Sequence, residues 1–190
     1  MADSTVTFDV RGIEDRPQDE VAKELGTQDT HGDPDDPPPA TAAPAAPTQW
    51  RVAEALKALR DQINARFPNR SKSSDGTIGD LNHCPGTSDH CPNVMEGRVG
   101  VVTALDITHD PAHGLDAGQL AETLRLGRDP RIKYIISNRR IANFKSLDGE
   151  PPFAWRDYNG PNPHTKHVHI SVKPEKNGDG GYDTTTTWDI

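Results

Sequence analysis

The 190-residue chain is poor in hydrophobic side chains, which make up 32% of its residues, and aromatic residues account for only 5%. Glycine and proline are frequent instead, with 16 and 17 copies. A domain is typically about 100–150 residues long and must bury a large apolar surface. The composition therefore predicts one domain of ordinary size, together with segments that lie outside its core.

Several protein classes are excluded by what the sequence lacks. It has no apolar run of the roughly 18 residues that a membrane-spanning helix needs. Its beginning lacks a basic start followed by an apolar stretch, so no signal peptide is predicted. Two cysteines, Cys84 and Cys91, are too few for a disulfide-rich scaffold. They form a bridge in an oxidising setting or remain free thiols. A Cys/His zinc knuckle is a third alternative, although the close Cys-x-x-Cys spacing typical of such sites is absent.

The net charge of −8 belongs entirely to the first quarter of the chain. Residues 1–48 carry 11 Asp or Glu and 3 Lys or Arg, whereas the remainder is balanced. This acidic, proline-rich segment cannot offset its ordering entropy by burial, so we expect a flexible arm. The arm is either a solvated linker or a tether to a protein partner. The balanced remainder lacks a concentrated cationic face, so a nucleic-acid partner is not expected.

Residues 49–174 are predicted to form an α+β domain, and residues 175–190 a C-terminal tail. Apolar residues between Trp50 and Phe67 recur every three to four positions, which predicts an amphipathic helix that Pro68 ends. A second helix is predicted at Asp116–Leu126, with Asp116 as its N-cap. Strands are predicted after the long polar loop 69–97, at Val99–Ile107, Arg131–Ser137, Phe153–Trp155 and Lys166–Lys173.

Candidate metal ligands are concentrated in three short pieces of this domain, and seven of the eight histidines lie between positions 83 and 169. Residues two apart on a strand point to the same face, so His167 and His169 can address one site. Two histidines and an aspartate suit Zn²⁺, and three protein ligands leave a position open, as in catalytic zinc sites. The three pieces are Ser88-Asp89-His90, Ala104–Ile107 with its Asp106, and His164–His169.

These residues resemble the motifs of a known group of enzymes. Ser88-x-His90 followed by Ala104-x-Asp106 is similar to the Ser-x-His-x-x-Gly-x-Ala-x-Asp signature of zinc D-Ala-D-Ala carboxypeptidases and phage L-alanyl-D-glutamate endopeptidases. The His167-x-His169 strand is similar to one in those enzymes, in lysostaphin and in penicillin-insensitive murein endopeptidases. The resemblance spans about residues 68–172. It implies the Hedgehog/DD-peptidase fold, a small antiparallel sheet flanked by helices with one zinc ion.

The resemblance also implies an activity and its setting. The expected substrate is the stem peptide of bacterial peptidoglycan, cleaved by a phage endolysin-like zinc peptidase. Such a protein acts on the cell wall from the host cytoplasm before lysis, or as part of a virion. Its expected zinc ligands are His90, Asp106 and His169.

Further residues receive roles from the same resemblance. His167 matches a histidine that assists the water or stabilises the oxyanion, and His164 matches a further active-site histidine. Lys166 stands where many carboxypeptidases have a glutamate base, which favours an endopeptidase-like site built from histidines. Arg70, in Asn69-Arg70-Ser71, resembles the arginine of a Tyr-Arg-Ser motif that binds the substrate carboxylate in carboxypeptidases, and an arginine fork suits a carboxylate. Ser88 and His83 are expected to line the cleft as further substrate contacts.

The sequence also allows alternatives, both for the metal ligands and for the function. His90 and Asp106 lie 16 positions apart, against 7 in the family signature, so an insertion at roughly Cys91–Val99 must loop out. In the alternative register, His83 and Asp89 are the metal ligands. Two other functions are also compatible with these residues: a metal-dependent nuclease or phosphodiesterase, and a non-catalytic module that zinc stabilises.

Overall fold

The computed structural model describes residues 49–78 and 87–190. The predicted arm 1–48 lies outside the described residues, as do His83 and Cys84. The described part of the chain contains two α-helices and two β-sheets. This arrangement confirms the α+β class.

Two helices, α1 and α2, cover Glu54–Arg66 and Ala117–Gly127, and a 3-10 turn covers Pro111–His113. α1 buries Leu56, Leu59 and Ile63, which lie along one face at helical spacing. Asp116 caps α2 as predicted, because its carboxylate accepts hydrogen bonds from two backbone amides of the first turn at 2.8 and 3.1 Å. Within the described ranges, neither helix has the length and apolarity needed to cross a membrane.

One strand before α1 and two strands after it form a three-stranded sheet. Its strands are β1 (Gln49–Val52), β2 (Val94–Glu96) and β3 (Val99–Val102), and β3 is central, parallel to β1 and antiparallel to β2. The predicted first helix is therefore wrong at its start. Trp50 and Val52 are buried and alternate with the more exposed Gln49 and Arg51, which is the period of a strand. The expected insertion at roughly Cys91–Val99 contains β2 and the turn that leads into β3.

The second sheet has five antiparallel strands: β4 (Ala104–Thr108), β5 (Ile132–Ser137), β6 (Arg140–Asn143), β7 (Arg156–Asp157) and β8 (His167–Val172). Their order in the sheet is β4-β8-β5-β6-β7. The strand predicted at Val99–Ile107 is split at Thr103, whose amide donates to the Asp89 carbonyl at 3.1 Å, and the chain passes there from one sheet to the other. The short strand predicted at Phe153–Trp155 forms slightly later, as β7.

The hairpin between β5 and β6 turns within two residues, Asn138 and Arg139, with φ angles of 50° and 60°. Positive φ at both positions is the mark of a type I′ turn, which suits the twist of the adjoining strands. The two turn amides donate to the carbonyls of His164 and Pro163 at 3.0 and 2.9 Å. The turn therefore holds the loop that leads into β8.

The main core lies on one face of the five-stranded sheet. Val168, Ile170 and Val172 of β8 are fully buried in it, together with side chains of both helices. Strand residues alternate between faces, so the histidines of β8 lie on the opposite face. The fold thus separates an apolar side from a polar side of the same strand.

The segment 175–190, predicted as a tail, has no helix or strand but packs against the domain. Tyr182 and Trp188 are both 2% exposed. The Trp188 indole donates to the Ala55 carbonyl at 2.9 Å, and the Arg131 guanidinium lies 3.7 Å from the centre of that indole ring. These contacts fasten the segment to α1 and to the residue that precedes β5.

Candidate metal centre

Asp106 of β4 and His169 of β8 are paired across the sheet. The backbone amide and carbonyl of Asp106 both bond to Gly76, on the outer side of β4, at 2.8 and 3.3 Å. The pair with His169 is therefore of the non-hydrogen-bonded kind, in which opposite side chains approach most closely. His169 Nδ1 lies 3.1 Å from Asp106 Oδ1.

His90 reaches the same place from a turn that follows Ser88. The His90 amide donates to Ser88 Oγ at 3.3 Å. The side chain then places Nε2 at 3.1 Å from His169 Nδ1 and at 3.3 Å from Asp106 Oδ2. The structure thus brings together three residues that lie far apart in the sequence.

The spacing of these three groups fits a metal ion. Ligands about 2.0–2.1 Å from a tetrahedral Zn²⁺ lie roughly 3.3 Å from each other, close to the 3.1 Å between the two imidazole nitrogens. The Asp106 carboxylate offers one oxygen at a similar distance from each imidazole, Oδ1 at 3.1 Å from His169 Nδ1 and Oδ2 at 3.3 Å from His90 Nε2. All three residues are buried. Within the described ranges, no group donates a hydrogen bond to the buried Asp106 Oδ2. An unsatisfied carboxylate oxygen is costly in a protein interior, and a bound cation would satisfy it. The cluster can therefore hold a metal ion.

The outward-facing nitrogens of both histidines are held by oxygens. His90 Nδ1 donates to the Thr77 carbonyl at 2.8 Å, which leaves the lone pair of Nε2 directed at the cluster. His169 Nε2 lies 3.0 Å from Ser171 Oγ, and a proton donated there leaves Nδ1 available in the same way. Such partners fix the tautomer and the orientation of metal-binding histidines.

The electrostatics of the cluster favour an ionised carboxylate. Burial alone would raise the pKa of Asp106, but His90, His167 and His169 lower it well below its usual range. Burial would lower the pKa of His90, but the neighbouring Asp106 carboxylate outweighs it and raises that pKa. A negative oxygen among imidazoles is the charge distribution that attracts a cation.

Two further imidazoles border the cluster. His167 Nε2 lies 3.7 Å from Asp106 Oδ2, and the ring of His164 lies 5.0 Å from that of His167 and 5.6 Å from that of His169. Burial, followed by the nearby His169, lowers the pKa of His164 to about 3. Tyr158 contacts the His164 ring edge-on, and Tyr134 stacks on His169. Four histidines and one aspartate are therefore neighbours on one side of the sheet.

Other sequence candidates have different surroundings. Ser88 stabilises the turn that carries His90, and Asp89 is paired with Lys133 at 3.2 Å. Neither joins the group of three ligand atoms. Arg70 is buried and paired with Asp75. Asp89, a metal ligand in the alternative register, is thus engaged elsewhere. His83, the other ligand of that register, lies outside the described residues, so the alternative ligand assignment stays a prediction.

Some contributors were missed by sequence reasoning. Thr77 acts through its backbone carbonyl, for which a side-chain pattern gives no signal. Ser171 was predicted on the same strand face as His169, which lies two positions earlier, but its contact with that imidazole was not. Cys91, directly after His90, is buried and disulfide-bonded, which agrees with the bridged alternative.

The comparisons with known proteins add no relative. The chain matches no protein-family model, and neither a curated protein nor a solved structure shows significant similarity to it. The chemistry of the site must therefore be argued from its own residues.

Proposed function

We propose that the protein is a zinc-dependent peptidase of the Hedgehog/DD-peptidase fold that hydrolyses peptide bonds in bacterial peptidoglycan. The observation that carries the proposal is the buried group of His90, Asp106 and His169, whose facing ligand atoms are 3.1–3.3 Å apart. The motif resemblance at these same residues supports the substrate class. A three-ligand set with further imidazoles beside it suits a catalytic centre better than a closed structural one.

Each residue has a part in the proposed reaction. His90, Asp106 and His169 would hold the ion, which supplies Lewis acidity and a nucleophile at neutral pH. His167 lies on the same strand face as His169, where its imidazole can hydrogen-bond the carbonyl oxygen of a bound peptide. His164, in contact with both, is the second imidazole placed to move a proton. Tyr158 packs on the ring of His164 and Tyr134 on the ring of His169, and these contacts limit the rotation of the two imidazoles.

The test is peptide release from purified cell walls. Protein stripped by a chelator and reloaded with Zn²⁺ is incubated with walls of several peptidoglycan chemistries, and new amino and carboxyl ends are identified by mass spectrometry. We expect release that requires zinc and that Asp106→Asn abolishes. His113→Ala is the matched control, because His113 is an exposed histidine paired with Asp110 outside the cluster.

The same assay separates the proposal from a binding role. Zinc-loaded protein that adheres to walls without creating new chain ends is a binding module, and the peptidase proposal is then wrong. Failure of every wall type to be bound or cleaved, with zinc bound in the cluster, rejects the substrate class.

A further inference from the structure

Arg70 is among the most completely hydrogen-bonded side chains in the described part of the chain. Its side chain is 0% exposed. The guanidinium has five N–H donors, and it makes five contacts: two with the carboxylate of Asp75, two with Asn64 Oδ1 and one with the Ser71 carbonyl. No donor is left for the substrate carboxylate that the family resemblance predicts as its ligand.

Asp75, the partner of Arg70, is also bonded to a strand of the metal centre. Its Oδ1 accepts hydrogen bonds from the amide and the hydroxyl of Thr108, the last residue of β4, at 2.9 and 2.8 Å. The Ser74 amide in turn donates to Thr108 Oγ1 at 2.9 Å. The carboxylate thus joins Arg70 to the outer side of β4.

The residues next to Asp75 touch two of the three candidate ligands. Gly76 bonds to both backbone groups of Asp106, and the Thr77 carbonyl accepts from His90 Nδ1. We call residues 74–77 the clamp segment. It holds the backbone of one candidate ligand and the imidazole of another.

We infer that the Arg70–Asp75 pair positions the metal centre by fixing the clamp segment against β4. A two-pronged pairing of guanidinium and carboxylate fixes direction as well as distance. Without Arg70, the largely buried Asp75 carboxylate loses its compensating charge and turns toward water. The adjacent Gly76 and Thr77 then leave Asp106 and His90 less constrained. Arg70 is a positioning residue in this arrangement and not a contact of the substrate.

The inference rests on the metal centre of the proposed function, and metal binding by the full-length protein tests it. Zinc affinity is measured by chelator competition for wild type, Arg70→Gln, Asp75→Asn and the double variant, at a temperature where circular dichroism shows each to be folded. We expect the single variants to bind zinc up to about 10-fold more weakly, the lower end of the effect of losing a direct partner of a metal ligand, because the contacts of Gly76 and Thr77 are loosened and not removed. The double variant should bind no more weakly than the singles, because the pair acts as a unit.

A matched control separates positioning from general stability. Arg131 is equally buried and pairs two-pronged with Asp129, but its other bonds go to the carbonyls of Thr184 and Thr186 in the C-terminal segment. Arg131→Gln should lower the melting temperature and leave zinc affinity unchanged. The visible spectrum of bound Co²⁺, which reports ligand geometry, should change in Arg70→Gln and not in Arg131→Gln.

The outcomes distinguish the two proposals. Wild type that binds neither Zn²⁺ nor Co²⁺ overturns the metal centre and this inference together. Wild type that binds zinc, with Arg70→Gln and Asp75→Asn binding it equally well, overturns the positioning role alone, as does an equal loss in Arg131→Gln. A further test needs no variant and measures hydrogen exchange of backbone amides in metal-free wild type. The amides of Gly76 and Asp106 should be protected from exchange. If they exchange as fast as the amides of an exposed loop, the inference is overturned.

Discussion

Asp106 and His169 stand directly opposite each other in a non-hydrogen-bonded pair of β4 and β8, with Oδ1 and Nδ1 3.1 Å apart. The sheet itself therefore presets two of the three candidate ligands. Only His90 must be delivered by a loop, and the Thr77 carbonyl orients its ring. This difference shapes what metal binding should do to the protein.

Zinc should stabilise a protein that is already folded. The apolar core lies on the other face of β8, so removing metal should leave the fold intact. Zinc at a concentration about 100 times its dissociation constant adds about 2.7 kcal/mol to the free energy of unfolding. For a chain of this size, that raises the melting temperature by roughly 5–10 °C. Thermal unfolding with zinc and with chelator checks this, and Asp106→Asn should show no rise. Unfolding at room temperature in chelator would make the metal structural.

Ser171→Ala should weaken zinc binding without disrupting the sheet. The change removes the oxygen 3.0 Å from His169 Nε2, so the tautomer that presents Nδ1 is no longer favoured. Loss of such a partner typically costs 10- to 100-fold in affinity. Chelator competition measures the affinity, and far-ultraviolet circular dichroism measures the fold. Unchanged zinc affinity would show that Ser171 does not orient the imidazole.

Arg139→Gly should stabilise the protein. Arg139 has a φ of 60° in the β5–β6 turn, a conformation that costs a residue with a side chain roughly 1–2 kcal/mol and glycine almost nothing. Glycine also loses more conformational entropy on folding, and once this cost is subtracted the free energy of unfolding should rise by up to about 1 kcal/mol. Denaturant unfolding measures it. Arg140→Gly, one residue later within β6, is the matched control and should destabilise. Equal effects of the two substitutions would show that turn geometry is not the cause.

Trp188→Ala should destabilise the fold by about 3–5 kcal/mol, the usual cost of removing a buried tryptophan. The indole is buried, hydrogen-bonded to the Ala55 carbonyl and covered by Arg131. Leu126→Ala is the control, because Leu126 is 63% exposed, and it should stay within about 0.5 kcal/mol of wild type. Denaturant unfolding compares the two. A loss below about 1 kcal/mol for Trp188→Ala would mean that the C-terminal segment does not support the core.

Local patterns were sufficient to predict some elements of the fold. Asp116 before an amphipathic run predicted the start of α2, and the alternation in Lys166–Lys173 predicted β8, observed at His167–Val172. Local patterns failed where long-range pairing decides the structure. Trp50 and Val52 fit both a helix and a strand, and pairing with β3 selected the strand.

The candidate site shows the same division. The sequence predicted His90, Asp106 and His169 as a group, and the structure brings their ligand atoms together. The identity of the metal and the reaction stay predictions. The partners of Arg70 could not be predicted, because a short motif that resembles a substrate-binding arginine does not reveal a carboxylate five positions later that pairs with it. Burial of Trp188 was equally hidden, since its neighbours in the sequence are mostly threonines.

The bridge between Gly76 and Asp106 also bears on self-association. β4 is an edge strand of the five-stranded sheet, and an uncovered edge is a template for a strand of another molecule. Gly76 bonds to both backbone groups of Asp106, and the Asp75 carboxylate takes the amide of Thr108, so the clamp segment covers this edge. Displacement of the clamp segment from β4 would loosen a candidate ligand and would expose the unpaired backbone of this edge strand at the same time. Loss of metal binding and the onset of aggregation should therefore have a common structural origin in this protein.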